Sequence, residues 1–311
     1  MANLTLLDIA KMNNNDATVG LIEETIAASP EAVDGSARTI KTTTFKSLIR
    51  TGLPKGEFRN VNEGVTPKKS SYAQKLVQTF IMDTPIEVDK AAVDSSEDGA
   101  EAVLALEASG VVEGAFRSLS SQFYYGTATT FATADSTSPL KGFPGLQQVV
   151  DSTMVLDATG AAAATGASVW AIKWGPKNVQ WVNGLDGQVQ TGDPQLLRLT
   201  DSNGNPYDGW RIPFLQYIGV QLVNKNSVAQ IKNLTAEAGK TLTDDLMFEL
   251  LEKFPIGIEP DMFYMTRRSR RQLRESRTAT NQTGTPAPLP TEVGGVPIRL
   301  TSGLLETETI V

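Results

Sequence analysis

The segment that most constrains this chain is Phe58-Arg59-Asn60-Val61-Asn62-Glu63-Gly64-Val65-Thr66-Pro67-Lys68-Lys69-Ser70-Ser71-Tyr72. It is polar, punctuated by glycine and proline, and lies between two runs of extended character. Residues 38–57 are rich in Thr, Lys and Ile, and their β-branched side chains favour a strand. Leu53-Pro54-Lys55-Gly56 marks a turn within that run. Residues 74–88 read as strand with a break at Pro85. A hairpin this long and this charged makes no core of its own. It hangs in solvent or lies on something else.

At 311 residues there is room for one large core or two modest ones. Apolar residues make up 40% and charged residues 20%, with 26 Gly and 16 Pro. That is a globular composition slightly poor in apolar residues. It suits a subunit that completes its core on neighbours, and equally a loop-rich monomer. Cysteine and histidine are both absent, which rules out Ser-His-Asp and Cys-His nucleophiles and Cys/His zinc sites. A metal would need oxygen ligands, and disulfides cannot hold the fold. No cofactor is expected. The N-terminus lacks a basic start and a long apolar stretch, so no signal peptide is expected. No apolar run reaches membrane-spanning length. The Asn-X-Thr sites at Asn3, Asn233 and Asn281 then carry no glycosylation message.

Residues 1–37 alternate short helical patterns with breaks, including a short amphipathic helix over 18–28, and read as an arm ordered by neighbours. The clearest helix spans 95–125. Ser95 and Ser96 suit its N-cap, with Glu97 and Asp98 in the first turn. Ala105, Ser109, Val112, Phe116, Leu119 and Phe123 mark one face. Gly99, Gly110 and Gly114 weaken this helix, and a helix crossing would explain at least one of them. Residues 126–138 read as loop, and the Ala/Gly/Thr stretch 156–168 as loop or close-packed turn. From 168 to 234 the pattern is β, with Gly175-Pro176-Lys177-Asn178 and Asn203-Gly204-Asn205-Pro206 as turns. Thr243 caps a helix over 243–254, a buried strand covers 262–265, and Thr266 caps an Arg-rich helix to about residue 278. Residues 279–290 form a polar loop, and 293–300 and 306–311 read as closing strands.

Several local patterns invite a chemical reading, and most read better as structure. Gly239-Lys240-Thr241 sits between a strand and a helix, as a phosphate loop would. The required glycine five residues earlier is Leu234, and Glu237 brings negative charge, so an ordinary connection is favoured. Asp201-Ser202-Asn203-Gly204-Asn205 starts like a calcium loop but has Pro206 and Ile212 at the diagnostic positions, so it reads as a hairpin turn. Asp244-Asp245 reads as a helix start rather than a hydrolytic carboxylate pair. Tyr124, Tyr125, Trp170, Trp174 and Trp181 read as core. Arg267, Arg268, Arg270, Arg271, Arg274 and Arg277 form a dense basic cluster, with Arg267, Arg270, Arg271 and Arg274 on one face. An anionic surface on a neighbouring subunit and a solvated, ion-paired face are equally good readings. Nucleic acid ranks below both, because stacking aromatics are missing.

In its order of elements the chain resembles the Hong Kong 97 family of tailed-phage major capsid proteins, closest to its short podovirus-type branch. The polar segment with Asn62-Glu63-Gly64 is similar to that family's E-loop, and the 95–125 helix to its spine helix. Gly142-Phe143-Pro144-Gly145-Leu146 is similar to the turn after the spine. Phe263-Tyr264-Met265-Thr266 with the Arg-rich helix, and Gly295-Val296-Pro297-Ile298, are similar to A-domain elements. The resemblance implies an α+β capsid fold: N-terminal arm (1–37), E-loop hairpin with flanking P-domain strands (38–90), spine helix (91–130), β-rich block of P- and A-domain (131–234), and A-domain helices and closing strands (235–311). In the commonest arrangement the peripheral strands follow the Gly-X-Pro-Ile element, whereas here the β-rich block precedes it.

The resemblance further implies a structural protein, not an enzyme, that assembles into hexamers and pentamers around double-stranded DNA. Inter-subunit contacts would fall on Arg59, Glu63, Lys68 and Lys69 of the E-loop, and on Arg267, Arg270, Arg271 and Arg274. Lys68 and Lys69 sit where a covalently cross-linking member carries its lysine, but with no identified acid and amide partners both read as surface charges. Implied partners are a portal, a separate scaffolding protein or none (no long scaffolding segment precedes the arm), and in some members a cement or decoration protein. The implied location is the virion, after assembly in the host cytoplasm, with no membrane contact. The formal charge of -7 suits a wall that makes no sequence-specific contact with enclosed DNA, and is ordinary for a cytoplasmic protein. The alternatives are a carboxylate-dependent hydrolase, with the hairpin as a lid, or a β-type tail or surface protein.

Overall fold

The structure is a computed structural model and describes residues 29–97, 99–127, 141–279 and 285–310. The helix expected over 18–28 and most of the loops expected over 126–138 and 279–290 lie wholly or partly outside those residues. The chain begins with α1 (Pro30–Asp34), β1 (Ala37–Thr39), β2 (Thr44–Gly52), β3 (Ser71–Gln78), β4 (Phe80–Asp83), β5 (Ile86–Asp89), α2 (Lys90–Asp94) and α3 (Ala100–Tyr125). It continues with α4 (Leu146–Val149), β6 (Val155–Asp157), β7 (Ala167–Ile172), β8 (Val179–Asn183), β9 (Gln190–Thr191), β10 (Gln195–Thr200), β11 (Pro206–Ile212), β12 (Phe214–Leu222) and β13 (Val228–Leu234). It closes with α5 (Asp244–Glu252), β14 (Met262–Met265), α6 (Arg267–Ala279), β15 (Glu292–Val293) and β16 (Val296–Leu300).

Four sheets result, ordered β15-β16-β14-β7-β13-β6, β1-β8-β12-β4 with β9 on β12, β10-β11-β5, and the isolated pair β2-β3. β7 is buried along its whole length. It lies between β13 and β14, which is why its sequence is a continuous apolar run rather than an alternating one. α5 and α6 cover this sheet through Met247, Leu250 and Leu273.

A second core joins the C-terminal part of α3 to residues of both large sheets, including Leu119, Phe123, Tyr124, Trp170, Trp174, Trp181 and Tyr264. A third packs Val103 and Leu104 of α3 and Ala92 and Val93 of α2 on Ile86 and Val88, with Trp210 and Ile212 alongside. All the aromatic residues read as core are therefore core, with Tyr125 half-buried at its edge.

The structure corrects the long helix in two respects. Ser95 does not cap it. It closes α2, its hydroxyl donating to the Ala92 carbonyl at 2.6 Å, while Asp89 caps that helix from Ala91 N–H at 2.8 Å. Gly99 then takes φ 84°, a left-handed value that turns the chain and restarts it as α3. Over about 39 Å, α3 buries Val103, Leu104, Ala115, Leu119, Ser120, Phe123 and Tyr124. The expected stripe holds at Leu119 and Phe123, but Ala105, Ser109 and Phe116 are exposed. In the N-terminal half the buried side lies one residue earlier, because apolar residues line both sides there and the packing on β5 chooses between them.

The turn at Gly175-Pro176-Lys177-Asn178 does not close a hairpin. β7 stays in the six-stranded sheet and β8 crosses to the five-stranded one. The 293–300 strand is a tight hairpin instead, with Gly294 and Gly295 at φ 58° and 83° between β15 and β16. Residues 306–310 form a single bridge, Gly166 to Glu308, not a strand. The 156–168 stretch is partly close-packed, with Gly160 N–H donating to the Asn233 carbonyl at 3.1 Å.

The turn after α3 is built on two glycines in contact. Gly145 N–H donates to the Gly126 carbonyl at 3.0 Å, and a β-carbon on Gly145 would lie 2.6 Å from the Tyr124 carbonyl oxygen. Backbone on both sides leaves no flexible neighbour to yield. Gly145→Ala is expected to destabilise the subunit by about 1–3 kcal/mol, as overpacking does, read as a lower urea midpoint at unchanged slope.

Candidate assembly surfaces

β2 and β3 form an antiparallel ribbon from Thr44↔Gln78 to Gly52↔Ser71. Its base is anchored: Ile40, Val77 and Val182 bury together against Phe45, the Arg38 guanidinium lies 4.5 Å from the centre of the Phe45 ring, and Thr79 N–H donates to the Thr43 carbonyl at 2.8 Å. Beyond the base the ribbon pairs with no further strand among the described residues. Leu48, Leu53, Val61 and Tyr72 are exposed, and Phe58 is fully exposed.

The tip is internally braced. Asn62 takes φ 69°, Arg59 Nη1 donates to the Glu63 carbonyl at 3.0 Å, and Asn60 N–H donates to Glu63 Oε2 at 3.2 Å. Lys68 pairs with Glu57, and Lys69 has no ion-pair partner among the described residues. Of the four E-loop charges singled out from sequence, three thus serve the loop itself. Exposed pairs of this kind contribute about 1 kcal/mol or less. The apolar residues Phe58 and Val61 were passed over because a polar setting hides single apolar side chains. Their signal was isolation, since nothing in the local pattern gives them a core.

The arginines of α6 divide by role. Ser269, Gln272 and Leu273 face the core. Arg277 is bidentate to Asp244 at 2.7 and 2.8 Å. Arg268 donates to the Thr165 carbonyl at 2.6 Å and the Glu306 carbonyl at 3.0 Å. Arg274 donates to the Ala287 carbonyl at 2.7 Å, which draws it out of the shared face. Arg271 is exposed and loosely paired with Glu275 at 3.5 Å. Arg267 is exposed and Arg270 half-buried, without ion-pair partners among the described residues.

The chemical alternatives find their explanation here. Glu237 accepts from Ala161 N–H at 2.8 Å and Ala162 N–H at 3.2 Å, filling with its own carboxylate the place a phosphate would need. These bonds hold its carboxyl below the usual carboxylate range. Asp201 accepts from Asn203 and Asn205 N–H, both at 2.8 Å, and closes the β10–β11 hairpin. Asp244 is held by Arg277. Among the described residues no cluster of three or more carboxylates could hold a metal ion.

Among the described residues two carboxyls are buried. Glu31 accepts from Ser120 and, at 3.1 Å, from Thr301, tying α1 to α3 and to the chain after β16. Its Oε2 is buried without a hydrogen-bond partner among the described residues. Glu308 accepts from Tyr125 and Ser168, both at 2.5 Å. Burial pushes both carboxyls up and pushes the Tyr125 hydroxyl up as well.

A mixed α+β subunit with a projecting ribbon and a long helix packed across two sheets defines a class: the Hong Kong 97-type capsid proteins. A chain in the near-atomic structure of bacteriophage Epsilon15 shares this fold at a TM-score of 0.70 and 19% identity, over 99% of this chain and 97% of that one. A chain of the bacteriophage JBD30 capsid aligns over 97% of this chain and 99% of its own, at a TM-score of 0.49 and 9% identity, too weakly to carry argument. No curated protein matches.

Residues 17–311 match the family described as Major capsid protein GP7, and the chain belongs to that family. It is a structural protein of the phage virion that assembles with copies of itself into the icosahedral head, and the hydrolase and tail-protein alternatives fall away.

Because folding raises the Glu31 carboxyl above its ordinary 4.5, the folded chain keeps this proton to higher pH than the unfolded chain. Its contribution is therefore most favourable at low pH and declines as pH rises from the ordinary carboxylate range through the raised value. The decline is at most about 1.4 kcal/mol per pH unit. Glu31→Gln is expected to gain melting temperature relative to the natural chain as pH goes from 5 to 8. A constant difference across that range would show that Glu31 is not held as the neutral acid.

Proposed function

We propose that the subunits form hexamers and pentamers whose cohesion comes largely from the β2–β3 ribbon lying on a neighbouring subunit. The observation that carries this reading is the ribbon itself. It is long, anchored at its base, and presents a fully exposed Phe58 on a loop stiffened by its own hydrogen bonds. Phe58 and Val61 supply apolar contact, which is worth roughly 25 cal/mol per Å² removed from water. Arg59, Glu63, Lys68 and Lys69 form a polar rim that sets register and partner choice. The α6 face offers a second contact through Arg267, Arg270 and Arg271, with Arg274 behind them.

In this reading residues 1–37 are the arm, 38–90 the E-loop and its flanking strands, and 91–130 the spine. Residues 131–234 are shared between the peripheral and axial domains, and 235–311 belong to the axial domain. The shell assembles in the host cytoplasm with a portal, a scaffolding protein and a cement or decoration protein, and encloses double-stranded DNA without reading its sequence. Maturation is a shift between two packings of the same subunits.

Replacing residues 53–70 by a tight turn is expected to leave a folded subunit that gives no closed particles by light scattering and negative-stain microscopy. Phe58→Ala is expected to leave subunit melting unchanged, since the side chain buries nothing in one chain, while lowering the yield of shells about tenfold, as loss of an aromatic interface anchor does. Closed shells from the shortened ribbon at natural yield would overturn this assignment.

A further inference from the structure

The two helices covering the six-stranded sheet carry opposite charge on their exposed faces. On α5, Asp245, Glu249 and Glu252 are exposed at spacings of four and three residues, one continuous stripe. Phe248 is exposed within it. None of the three acids has an ion-pair partner among the described residues. On α6, Arg267 and Arg271 are exposed and Arg270 is half-buried, with Arg270 and Arg271 three and four residues after Arg267. The acid stripe rises about 10 Å along its helix, and the basic cluster about 6 Å.

These two surfaces do not pair with each other within one chain: among the described residues no ion pair joins them, and the α6 pairs run to Glu275 and Asp244 instead. α5 meets α6 at the wrong end: its first residue, Asp244, is bound to Arg277 near the C-terminus of α6. Arg267 lies ten residues back along that helix, about 15 Å away. The acid stripe of α5 then continues beyond the Asp244 contact. One subunit thus presents an acidic helix face and a basic helix face on separate parts of one domain. A pair of unlike patches of this kind makes heterologous, head-to-tail contacts, and such contacts close into rings.

We propose that the Asp245/Glu249/Glu252 face of α5 in one subunit docks on the Arg267/Arg270/Arg271 face of α6 in the next. The occupant of both faces is a second copy of this chain, and the contact rests on the shell-forming reading above. Phe248 sits in the acidic face as the apolar contact, and the charges around it fix the direction of the ring. A subunit meeting a neighbour the wrong way round brings acid to acid or arginine to arginine, which disfavours the mistake.

The test is a charge exchange in the full chain. Glu249→Lys with Glu252→Lys places cations in the C-terminal half of α5, and Arg267→Glu with Arg270→Glu places anions in the first turn of α6. Both changes agree with the helix dipoles, so each doubly substituted subunit is expected to keep its melting temperature. Each alone is expected to lower shell yield about tenfold or more, and the fourfold exchange to restore it to within about threefold, as for directly facing charge pairs.

Natural shell yield from both separate variants would overturn the contact while leaving the shell-forming reading intact, because the natural chain still assembles beside them. Loss of yield in both that the exchange does not restore would overturn the pairing. Loss confined to the arginine variant would assign α6 to a different polyanionic partner. If the natural chain makes no shells with its scaffolding and portal partners, the underlying reading fails with it.

Discussion

The structure turns on the aromatic junction at the C-terminal end of α3. Phe123 stacks on Trp174 with ring centres 5.8 Å apart and lies 5.0 Å from Trp181. Tyr124 packs at 6.0 Å on Trp170. Trp170 belongs to the six-stranded sheet and Trp181 to the five-stranded one, so the helix end holds the two sheets at a fixed angle. The polar edges of the rings extend the junction. Trp174 Nε1 donates to the Tyr264 hydroxyl at 3.0 Å, and Trp181 Nε1 donates to the Glu31 carbonyl at 2.8 Å. Each aromatic pair adds about 0.5–1.5 kcal/mol beyond its buried area, enough in sum to tolerate the buried Tyr124 hydroxyl and Trp170 N–H, which lack partners. The three-stranded sheet, packed on α3, and the ribbon, packed at its base on Val182, are built outward from the elements that meet here.

Features written in short-range chemistry were legible in the sequence. Pro85 separates β4 from β5 because proline cannot donate to a ladder. Thr243 and Thr266 cap their helices, accepting from Leu246 and Ser269 N–H at 3.3 and 3.2 Å. Asn203-Gly204 closes β10 on β11. The long helix, the projecting hairpin and the buried tryptophans were visible in composition and period, while the class of protein came from the resemblance of their order to a known capsid family.

What escaped the sequence depended on choices made at long range. β7 and β8 look like a hairpin across Gly175, and only the packing of Trp170 and Trp181 into one core shows that each serves a different sheet. The apolar residues of α3 offered two faces, and contact with Ile86 and Val88 selected one in its N-terminal half. The charges of the hairpin and of α6 looked alike in the sequence. In space Arg268, Arg274 and Arg277 brace their own part of the fold, while Arg271 reaches only Glu275 and Arg267 and Arg270 have no ion-pair partner among the described residues. A count of charges cannot separate these groups, because the partners lie at Thr165, Ala287 and Asp244, distant in the chain.

The Glu31 latch joins residue 31 to Ser120 and Thr301, so α1, α3 and the segment after β16 meet at one carboxyl. None of the three can shift alone. Displacing α1 loads the long helix and the closing segment at the same time, and a single side chain thereby makes three stretches of chain, far apart in sequence, move as one body.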